Sequence, residues 1–523
     1  MAAKKQFKIT YATLGADMDK FHRDFDRALA QVRQKIGQTH PHVINNQHVP
    51  GAGETYASFS PVDTRMALAY FKAATNDEID AAVTAAREAF PKWAATDYRK
   101  RAKILQKAAG LVRKNRFELA AIMSLEVGKN RLESMGDVEE SADLMDYYAK
   151  QLLDAKGFTV PLARLSRKED TRSVLRPYGV WAMIAPFNFP LALPSGMSAG
   201  AILAGNTLVF KPSVDTPWTT SRLQEVYVQA GMPPGVVNFL AGDRRMGDVL
   251  IHHPQLDGIV FTGSKGVGMK IFREFSQDFI KPVILEMGGK NPALVMPSAD
   301  LETAAEGVMR SAFGLQGQKC SACSRVYVHR QVKDKFIDLL LRKTAALRIG
   351  DPVEKDVFMG PVINRKAYDK FQAVVEEARR DGTVLTGGNI LREGDFANGY
   401  FVAPTIVTGL PASHRLVKEE LFLPILIVDV ADSLEEAVRL GNNVEYGLTA
   451  GIYTKRKREL DYFFDHIEAG VTYANRRSGA TTGAWPGVNS FCGWKGSGSS
   501  GKGGCGPYYV QQFMREQSRT IMQ

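Results

Sequence analysis

The chain has 523 residues, of which 45% are hydrophobic and 24% are charged, a composition typical of a globular protein with roughly two or three domains. The most apolar run, residues 196–210, is interrupted by Gly205 and Asn206 and is too short to span a bilayer. The net charge of +11 comes from basic residues scattered among acidic ones, which favours a solvated surface over a nucleic-acid-binding one. We therefore expect neither a membrane nor a nucleic acid as a partner.

The N-terminal region, residues 1–31, has no apolar segment of the kind found in signal peptides. It carries Asp17, Asp19, Asp24 and Asp26, which a mitochondrial presequence avoids. The four cysteines do not form a secreted disulfide framework in a chain of this length. These observations favour a cytoplasmic location.

The first part of the chain is predicted to be mainly helical. Residues 14–36 have helical periodicity and precede a polar stretch, residues 37–54, which is expected to link an N-terminal arm to the body. Thr75 and Glu78 match a capping box at the start of a clear amphipathic helix. Helical periodicity then continues to about residue 153.

From residue 178, short apolar runs alternate with helical segments, and each run has the length of a buried strand. The runs are VWAMIAP, TLVFKP, VVNFLAG, GIVFTGS and PVILEMGG. This alternation predicts a parallel sheet covered by helices. A second α/β series starts at residues 292–297 and extends to about residue 475, and the Gly-rich tail from residue 478 is expected to form an ordered loop and a terminal strand.

Four features lie at the ends of these predicted strands, where ligands of open α/β sheets bind. The turn FTGSKGVG, residues 261–268, either leaves backbone amides for a pyrophosphate or is only a turn. Lys211 is a ligand contact or a solvated lysine, and Asn188 is an oxyanion donor or a stabiliser of its own turn. Burial would raise the pKa of Glu286 and suit it to be a general base, unless it lies in solvent.

Cys320 and Cys323 allow three interpretations: a zinc site, a redox pair, or one nucleophile with a neighbour. Zinc needs four ligands, usually in two close pairs, but Cys492 and Cys505 are widely spaced and no histidine is near either pair. A redox C-x-x-C motif would follow the first strand of a small βαβ unit. One nucleophile at the start of a helix, whose amides lower the thiol pKa, is therefore favoured, and we expect no metal.

Together these motifs resemble the aldehyde dehydrogenase superfamily over about residues 45–515. The segments PFNFP, KPS, FTGS, LEMGGKNP, GQKCSA, EELFLP and GVTYAN occur in that family's order and spacing. The resemblance implies an α/β fold with a Rossmann-type NAD(P)-binding domain, an α/β catalytic domain and a small β oligomerisation element. The implied boundaries are an N-terminal helical arm (1–45), the NAD(P)-binding domain (46–157 and 181–288), the catalytic domain (289–478), and the oligomerisation element with a substrate anchor loop (158–180 and 479–523).

The resemblance also implies a role for each matching residue. Cys320 is the nucleophile that forms a thiohemiacetal and then a thioester, and Asn188 with the backbone N–H of Cys320 forms the oxyanion hole. Glu286 is the base that activates water to hydrolyse the thioester, which argues against transfer to coenzyme A. The implied cofactor contacts are Ala185, Pro186, Phe187, Lys211, Ser213, Gly242, Gly263, Ser264, Glu420 and Phe422.

NAD is the expected cofactor. NADP stays open, because Val214 stands where NAD-preferring members often carry a glutamate. Two further departures from the family pattern are Leu423 in place of a usual glycine, and SFCGWKGSG in place of a segment that begins Pro-Phe-Gly-Gly.

Within the family, GQKCSACSR, RRSGATTGAWPG and GKGGCGPYY are characteristic of the branch that oxidises L-glutamate γ-semialdehyde to L-glutamate in proline catabolism. In that branch the residue after the cysteine and a Gly-Ala pair hold the substrate α-carboxylate. A helix glutamate meets the α-ammonium, and Glu140 is preferred over the adjacent Glu139. The implied substrate contacts are Glu140, Phe189, Ser321, Gly479 and Ala480.

The alternative within the family is a dehydrogenase of another semialdehyde such as succinate semialdehyde. Such an enzyme would need an arginine in its tunnel, and Arg476 or Arg477 could supply it. A non-catalytic scaffold on the same fold is disfavoured because all the catalytic positions are intact. The expected partners are a small aldehyde and further copies of the chain, as a dimer or a higher oligomer, and any proline dehydrogenase would be a separate chain.

Overall fold

The structure is a computed structural model that describes residue 10, residues 18–277 and residues 279–523. In that part of the chain the α-helices are α1 (Asp19–Arg33), α2 (Asn76–Ala94), α3 (Tyr98–Lys114), α4 (Arg116–Val127), α5 (Arg131–Asp154), α6 (Ala192–Ala204), α7 (Pro217–Ala230), α8 (Arg244–Ile251), α9 (Lys265–Phe275), α10 (Leu301–Phe313), α11 (Lys333–Ala345), α12 (Arg365–Asp381), α13 (Arg415–Lys418), α14 (Leu434–Asn442) and α15 (Lys457–His466).

The strands, again for the described residues, are β1 (Gln38–Thr39), β2 (His42–Ile44), β3 (Gln47–Val49), β4 (Thr55–Phe59), β5 (Ala67–Lys72), β6 (Thr159–Pro161), β7 (Glu169–Pro177), β8 (Val180–Ile184), β9 (Thr207–Lys211), β10 (Val237–Phe239), β11 (Gly258–Thr262), β12 (Val283–Glu286), β13 (Asn291–Val295), β14 (Cys323–His329), β15 (Thr383–Thr386), β16 (Thr405–Thr408), β17 (Ile425–Ala431), β18 (Tyr446–Gly447), β19 (Thr449–Tyr453), β20 (Val471–Ala474), β21 (Trp494–Lys495) and β22 (Met514–Met522).

The N-terminal helix α1 lies within the predicted residues 14–36, although residues 14–17 are outside the described part. The prediction that residues 37–54 form a polar link is wrong, because this stretch contains β1, β2 and β3. Strand β2 pairs antiparallel with β10, with Val43 opposite Phe239. This pairing buries Val43 and covers a sheet edge that would otherwise expose unpaired backbone groups.

The predicted parallel sheet is confirmed. Its strand order is β12-β11-β8-β9-β10-β2-β3, and the five strands from β8 to β12 pair in parallel. The predicted capping box is also present at α2, where the Thr75 side chain accepts from the Glu78 N–H and the Glu78 side chain accepts from the Thr75 N–H. Apolar residues of α2 pack with this sheet in one core cluster.

A second seven-stranded sheet has the order β15-β16-β17-β14-β13-β19-β20, in which β15 is the antiparallel strand. A smaller antiparallel sheet joins β22, β7 and β6, which confirms the terminal strand expected after the Gly-rich tail. No helix in the described part of the chain is long and apolar enough to cross a membrane.

The two large sheets are joined by one short crossing, residues 287–290, which runs from the end of β12 to the start of β13. Glu286 is the last residue of β12 and Asn291 is the first of β13. The carboxyl ends of the parallel strands of the first sheet therefore lie against the second sheet, where ligands of such folds bind.

Candidate active site

The residues predicted to contact the cofactor lie at the carboxyl ends of four neighbouring strands. Residues 185–187 follow β8, Lys211 ends β9, Gly242 follows β10, and residues 263–264 follow β11. The strands are adjacent and parallel, so their ends meet at one edge, and the Ala185 N–H donates to the Lys211 carbonyl at 3.0 Å. Ser213 lies two residues beyond Lys211 and accepts a hydrogen bond from the Asp215 N–H.

This edge fits a dinucleotide. Helix α9 begins directly after Ser264, whose side chain makes no capping bond, and a Cβ added at Gly266 would meet open space. The first amides of α9 can therefore approach a pyrophosphate. Lys211 is 7% exposed and its Nζ donates to the Pro212 carbonyl. Burial lowers the pKa of Lys211 to about 8, so a polar ligand that binds there relieves the cost of desolvation.

Glu420 and Phe422 reach the same place from the second sheet. The Glu420 carboxylate accepts from the Gly289 N–H at 3.0 Å, and burial raises the pKa of Glu420 to about 7. Phe422 has a left-handed backbone with φ of 59°, and its ring meets that of Phe187 edge to face at 5.8 Å. The two sheets thus supply opposite walls of one cleft.

The nucleophile turn, residues 318–322, holds Cys320. The expectation that Cys320 starts a helix is wrong: the turn follows a short 3-10 helix, Gly314–Gly317, and leads into β14. Leu315 and Gln316 have φ of 50° and 56°, in the left-handed region that side chains rarely adopt. A left-handed turn before the cysteine is a tertiary feature that helical periodicity does not indicate.

The environment of the Cys320 thiol also differs from the expectation of a lowered pKa. Burial raises the pKa of Cys320 well above its ordinary value, and the Glu420 and Glu286 carboxylates raise it further. The backbone N–H groups of Ser321 and Cys320 act in the opposite direction because they face the sulfur. The free protein therefore holds a neutral thiol beside donors that would stabilise negative charge.

Two amide side chains fix the nucleophile turn. Asn188 is buried, and its Nδ2 donates to the Gln318 carbonyl at 2.9 Å. An amide nitrogen carries two hydrogens, so this bond uses one of its two donors. From the other side, Asn291 Nδ2 donates to the carbonyls of Cys320 at 2.7 Å and Ala322 at 2.9 Å.

Glu286 is half-buried, and its Oε2 atom is fully buried. Burial raises the pKa of its carboxyl well above the ordinary value, as the sequence predicts for a strand-end acid in an apolar setting. Its Oε2 has no hydrogen-bond partner among the described residues. A buried polar atom without a partner is uncommon and calls for a ligand or water, and this one lines the same cavity as Cys320.

That cavity contains some of the predicted substrate contacts but not all. Glu140, Phe189 and Ser321 line it. The other cavity-lining residues in the described chain are Leu144, Tyr148, Ala192, Leu193, Gly196, Met197, Thr262, Glu286, Met287, Lys319, Cys320, Thr482, Gly483, Ala484, Phe491, Gly504, Cys505 and Tyr509.

The assignment of Gly479 and Ala480 to the substrate site is corrected by this geometry. Ala480 is 1% exposed and packs in the core of the second sheet, and neither residue lines the cavity. The segment SGATTGAW contains a second Gly-Ala pair four positions later, Gly483 and Ala484, which does line it. Gly483 has φ of 100°, and a Cβ there would press on the Arg476 guanidinium at 2.7 Å.

Adjacent glutamates on α5 face different surroundings. Glu139 lies 3.5 Å from the Arg116 guanidinium, whereas Glu140 lines the cavity and accepts from the Cys505 thiol at 3.9 Å. The two arginines considered for another semialdehyde do not line it: Arg476 packs on the Tyr473 ring and donates to the Gly483 carbonyl, and Arg477 is exposed.

Several cavity residues carry no role that the sequence predicts. Cys505 and Tyr509 belong to the segment GKGGCGPYY, which is characteristic of the branch but does not indicate by itself which of its residues face the cavity. The Cys505 N–H donates to the Tyr148 hydroxyl at 2.8 Å, which attaches this tail segment to α5. All four cysteines are free.

Comparison with known proteins agrees with this architecture. Residues 48–518 match the aldehyde dehydrogenase family, and the chain belongs to that family, as the motifs indicate. A 1-pyrroline-5-carboxylate dehydrogenase of Staphylococcus epidermidis is 35% identical over 498 residues, which cover 94% of this chain and 95% of that protein. 1-Pyrroline-5-carboxylate dehydrogenase 2 of Bacillus subtilis is 37% identical over 505 residues, 95% of each chain. The crystal structure of the Thermus 1-pyrroline-5-carboxylate dehydrogenase with bound NAD superposes with a TM-score of 0.93 at 34% identity, over 100% of both chains.

Glu420 is expected to control the ionisation of the nucleophile. Replacement of Glu420 by Gln removes a negative charge that raises the pKa of the thiol, so the pH midpoint of Cys320 alkylation by iodoacetamide should move to lower pH. Mass spectrometry of the Cys320 peptide measures it. The matched control is Glu419→Gln, since Glu419 is exposed and faces Arg415; an equal movement in both variants would contradict the assignment.

The two cysteines of the doublet are expected to differ sharply. Cys323 is buried in the core of the second sheet, and its thiol donates to the Arg325 carbonyl, so Cys323→Ser should keep most of the dehydrogenase activity. Cys320→Ser should abolish it because a serine hydroxyl is a far weaker nucleophile. Equal loss in both variants would instead support a redox pair.

Proposed function

We propose that the chain catalyses the NAD-dependent oxidation of L-glutamate γ-semialdehyde, formed from Δ1-pyrroline-5-carboxylate, to L-glutamate. The observation that carries the proposal is the composition of one cavity. A half-buried thiol, a carboxylate with a buried, partnerless oxygen, and a second carboxylate for a cationic group all line it. The names of the similar relatives support the same substrate, and the Thermus structure with bound NAD supports the same cofactor.

The reaction follows from the positions of the side chains. Glu286, which lines the same cavity, takes the proton of the Cys320 thiol and passes it to solvent. The Cys320 sulfur then attacks the aldehyde carbon, and the resulting oxyanion is stabilised by the second N–H of Asn188 and the backbone N–H of Cys320. Bound NAD supplies the hydride acceptor for the oxidation. The thioester left on Cys320 is then hydrolysed by a water that Glu286 deprotonates. A carboxyl whose pKa is raised by burial is a stronger base than an exposed one.

Substrate selection rests on both charged ends of the amino acid. We propose that Ser321 with the backbone amides of Gly483 and Ala484 receives the α-carboxylate, and that Glu140 receives the α-ammonium. A glycine turn lets its amides approach a carboxylate without a side chain in the way. Succinate semialdehyde lacks the ammonium group, and among the described residues no arginine lines the cavity to favour it.

We also propose a separate role for each of the three sheets. The first large sheet with its helices binds NAD, the second carries the nucleophile, and the β22-β7-β6 sheet joins subunits into a dimer or higher oligomer. The free cysteines suit a reducing compartment, so the cytoplasm is the proposed location.

A substrate panel tests the proposed function. The purified chain is given L-glutamate γ-semialdehyde, succinate semialdehyde or an uncharged aldehyde of similar length, each with NAD and with NADP. The expected result is that kcat/KM is highest for L-glutamate γ-semialdehyde with NAD. A higher value for succinate semialdehyde would replace the proposal by its alternative.

Glu140 can be tested against its neighbour. Glu140→Gln removes the charge that is proposed to pair with the α-ammonium, and a hydrogen bond to a charged group contributes about 1.5–3 kcal/mol, so KM should rise about tenfold or more. Glu139→Gln, one position away, should leave KM close to the wild-type value. If the two variants behaved in reverse, the ammonium contact would belong to Glu139.

A further inference from the structure

The proposed carboxylate anchor is built from two separate segments. Ser321 belongs to the nucleophile turn between the 3-10 helix and β14, whereas Gly483 and Ala484 belong to a loop about 160 residues later. A carboxylate gripped by both segments requires a fixed spacing between them, because a misplacement of about 1 Å at such a site is costly. Something must therefore hold one segment to the other.

Thr481 makes this connection. It is completely buried, and its Oγ1 donates to the Ser321 carbonyl at 2.7 Å. A second hydroxyl, that of Thr449, reaches the same carbonyl only at 3.5 Å, the limit of a useful hydrogen bond. The Thr481 hydroxyl is thus the principal donor to Ser321 and stands directly before the cavity-lining residues 482–484.

The loop is anchored independently on its far side. The Thr481 N–H donates to Ser311 Oγ at 3.2 Å, and the hydroxyl groups of Ser311 and Thr482 lie 3.1 Å apart. The Ala480 N–H donates to the Gly307 carbonyl at 2.9 Å. Both partners belong to α10, so the loop keeps its place on that helix even without the Thr481 hydroxyl.

The orientation of the peptide groups explains how the Thr481 hydrogen bond affects Ser321. In a planar trans peptide the carbonyl and the following N–H point in opposite directions. Asn291 holds the Cys320 carbonyl on one side, so the Ser321 N–H points back towards the thiol, where it acts on the pKa of Cys320. Thr481 fixes the next carbonyl, and together the two bonds set the orientation of Ser321.

We propose that Thr481 is a positioning residue that sets the spacing between Ser321 and the Gly483–Ala484 pair, and thereby the selectivity for aldehydes that carry an α-carboxylate. The proposal rests on the proposed function and deepens it. Thr481 is not a catalytic residue, because it lies outside the cavity lining and acts through Ser321.

The test compares Thr481→Val with Thr481→Ser. Valine keeps the shape and removes the hydroxyl, whereas serine keeps the donor. Loss of one buried hydrogen bond leaves the Ser321 carbonyl poorly satisfied, so kcat/KM for L-glutamate γ-semialdehyde should fall about tenfold in Thr481→Val. The same variant should change kcat/KM for pentanal, which has no carboxylate, by less than about threefold. Thr481→Ser should restore the wild-type ratio between the two substrates.

Inhibition by the product L-glutamate measures binding at the carboxylate anchor separately from catalysis. The inhibition constant of L-glutamate, measured with pentanal as the substrate, should rise about tenfold in Thr481→Val. In Thr481→Ser it should be close to the wild-type value. Thr449→Val serves as a graded control, since its longer contact to the same carbonyl predicts a smaller effect. If valine does not fold, as judged by NAD binding and thermal unfolding, Thr481→Cys, with its weaker donor, takes its place.

Each outcome is decisive. An equal loss of activity for both aldehydes in Thr481→Val, or an unchanged inhibition constant, overturns the positioning role while leaving the proposed function intact. If instead the wild-type chain itself neither oxidises L-glutamate γ-semialdehyde nor is inhibited by L-glutamate, the proposed function fails. A selective loss with serine rescue supports the inference.

Discussion

The site depends on the crossing between the two large sheets, residues 287–290. The crossing leads directly into Asn291, the first residue of β13. The Asn291 side-chain amide holds the Cys320 and Ala322 carbonyls, while its oxygen accepts from the Thr449 N–H at 3.0 Å. The crossing begins directly after Glu286, and its Gly289 N–H donates to Glu420. One short segment therefore sets the positions of Glu286, Cys320 and Glu420 relative to each other. A Cβ at Gly288 would collide with the Glu420 carboxylate, and one at Gly289 with the Cys320 carbonyl, so this segment can approach both only as glycine.

One physical cause, removal from water, explains the ionisation of the site. Burial is the largest contribution to the raised pKa of Glu286, Glu420 and Cys320 and to the lowered pKa of Lys211. Each shift favours the neutral form of its group. Of these groups, Glu286 and Cys320 line one cavity, so their shifts act on neighbouring side chains. Ligands that carry charge or strong dipoles then change these equilibria when they bind, which couples occupancy of the cleft to the reactivity of Cys320.

Features that depend on short sequence patterns could be predicted from the sequence, whereas features that depend on contacts between distant residues could not. The parallel strands, the capping box at Thr75 and the burial of Glu286 depend on patterns a few residues long, and these predictions agree with the structure. The small residues around Cys320 predict a helix start, but distant partners hold the left-handed residues Leu315 and Gln316 before it. The Leu315 N–H donates to Glu133, and the Gln316 side chain donates to the Gly128 carbonyl. The polar composition of residues 37–54 predicts a link and does not reveal strand β2, because β2 pairs with β10, far away along the chain.

The repeated Gly-Ala pair is a second feature that depends on contacts between distant residues, within a single loop. Both copies match a carboxylate anchor by residue type, and sequence alone has no means of choosing between them. Tertiary packing chooses: the Ala480 N–H is used by the Gly307 carbonyl and its methyl group enters the core, while the pair four residues later is turned to the cavity. Between the two copies stands Thr481, bonded to Ser321. The first copy thus fixes the loop to α10, the threonine joins it to the turn at Cys320, and the second copy lines the cavity. In the proposed mechanism, selectivity therefore depends on residues that do not line the cavity.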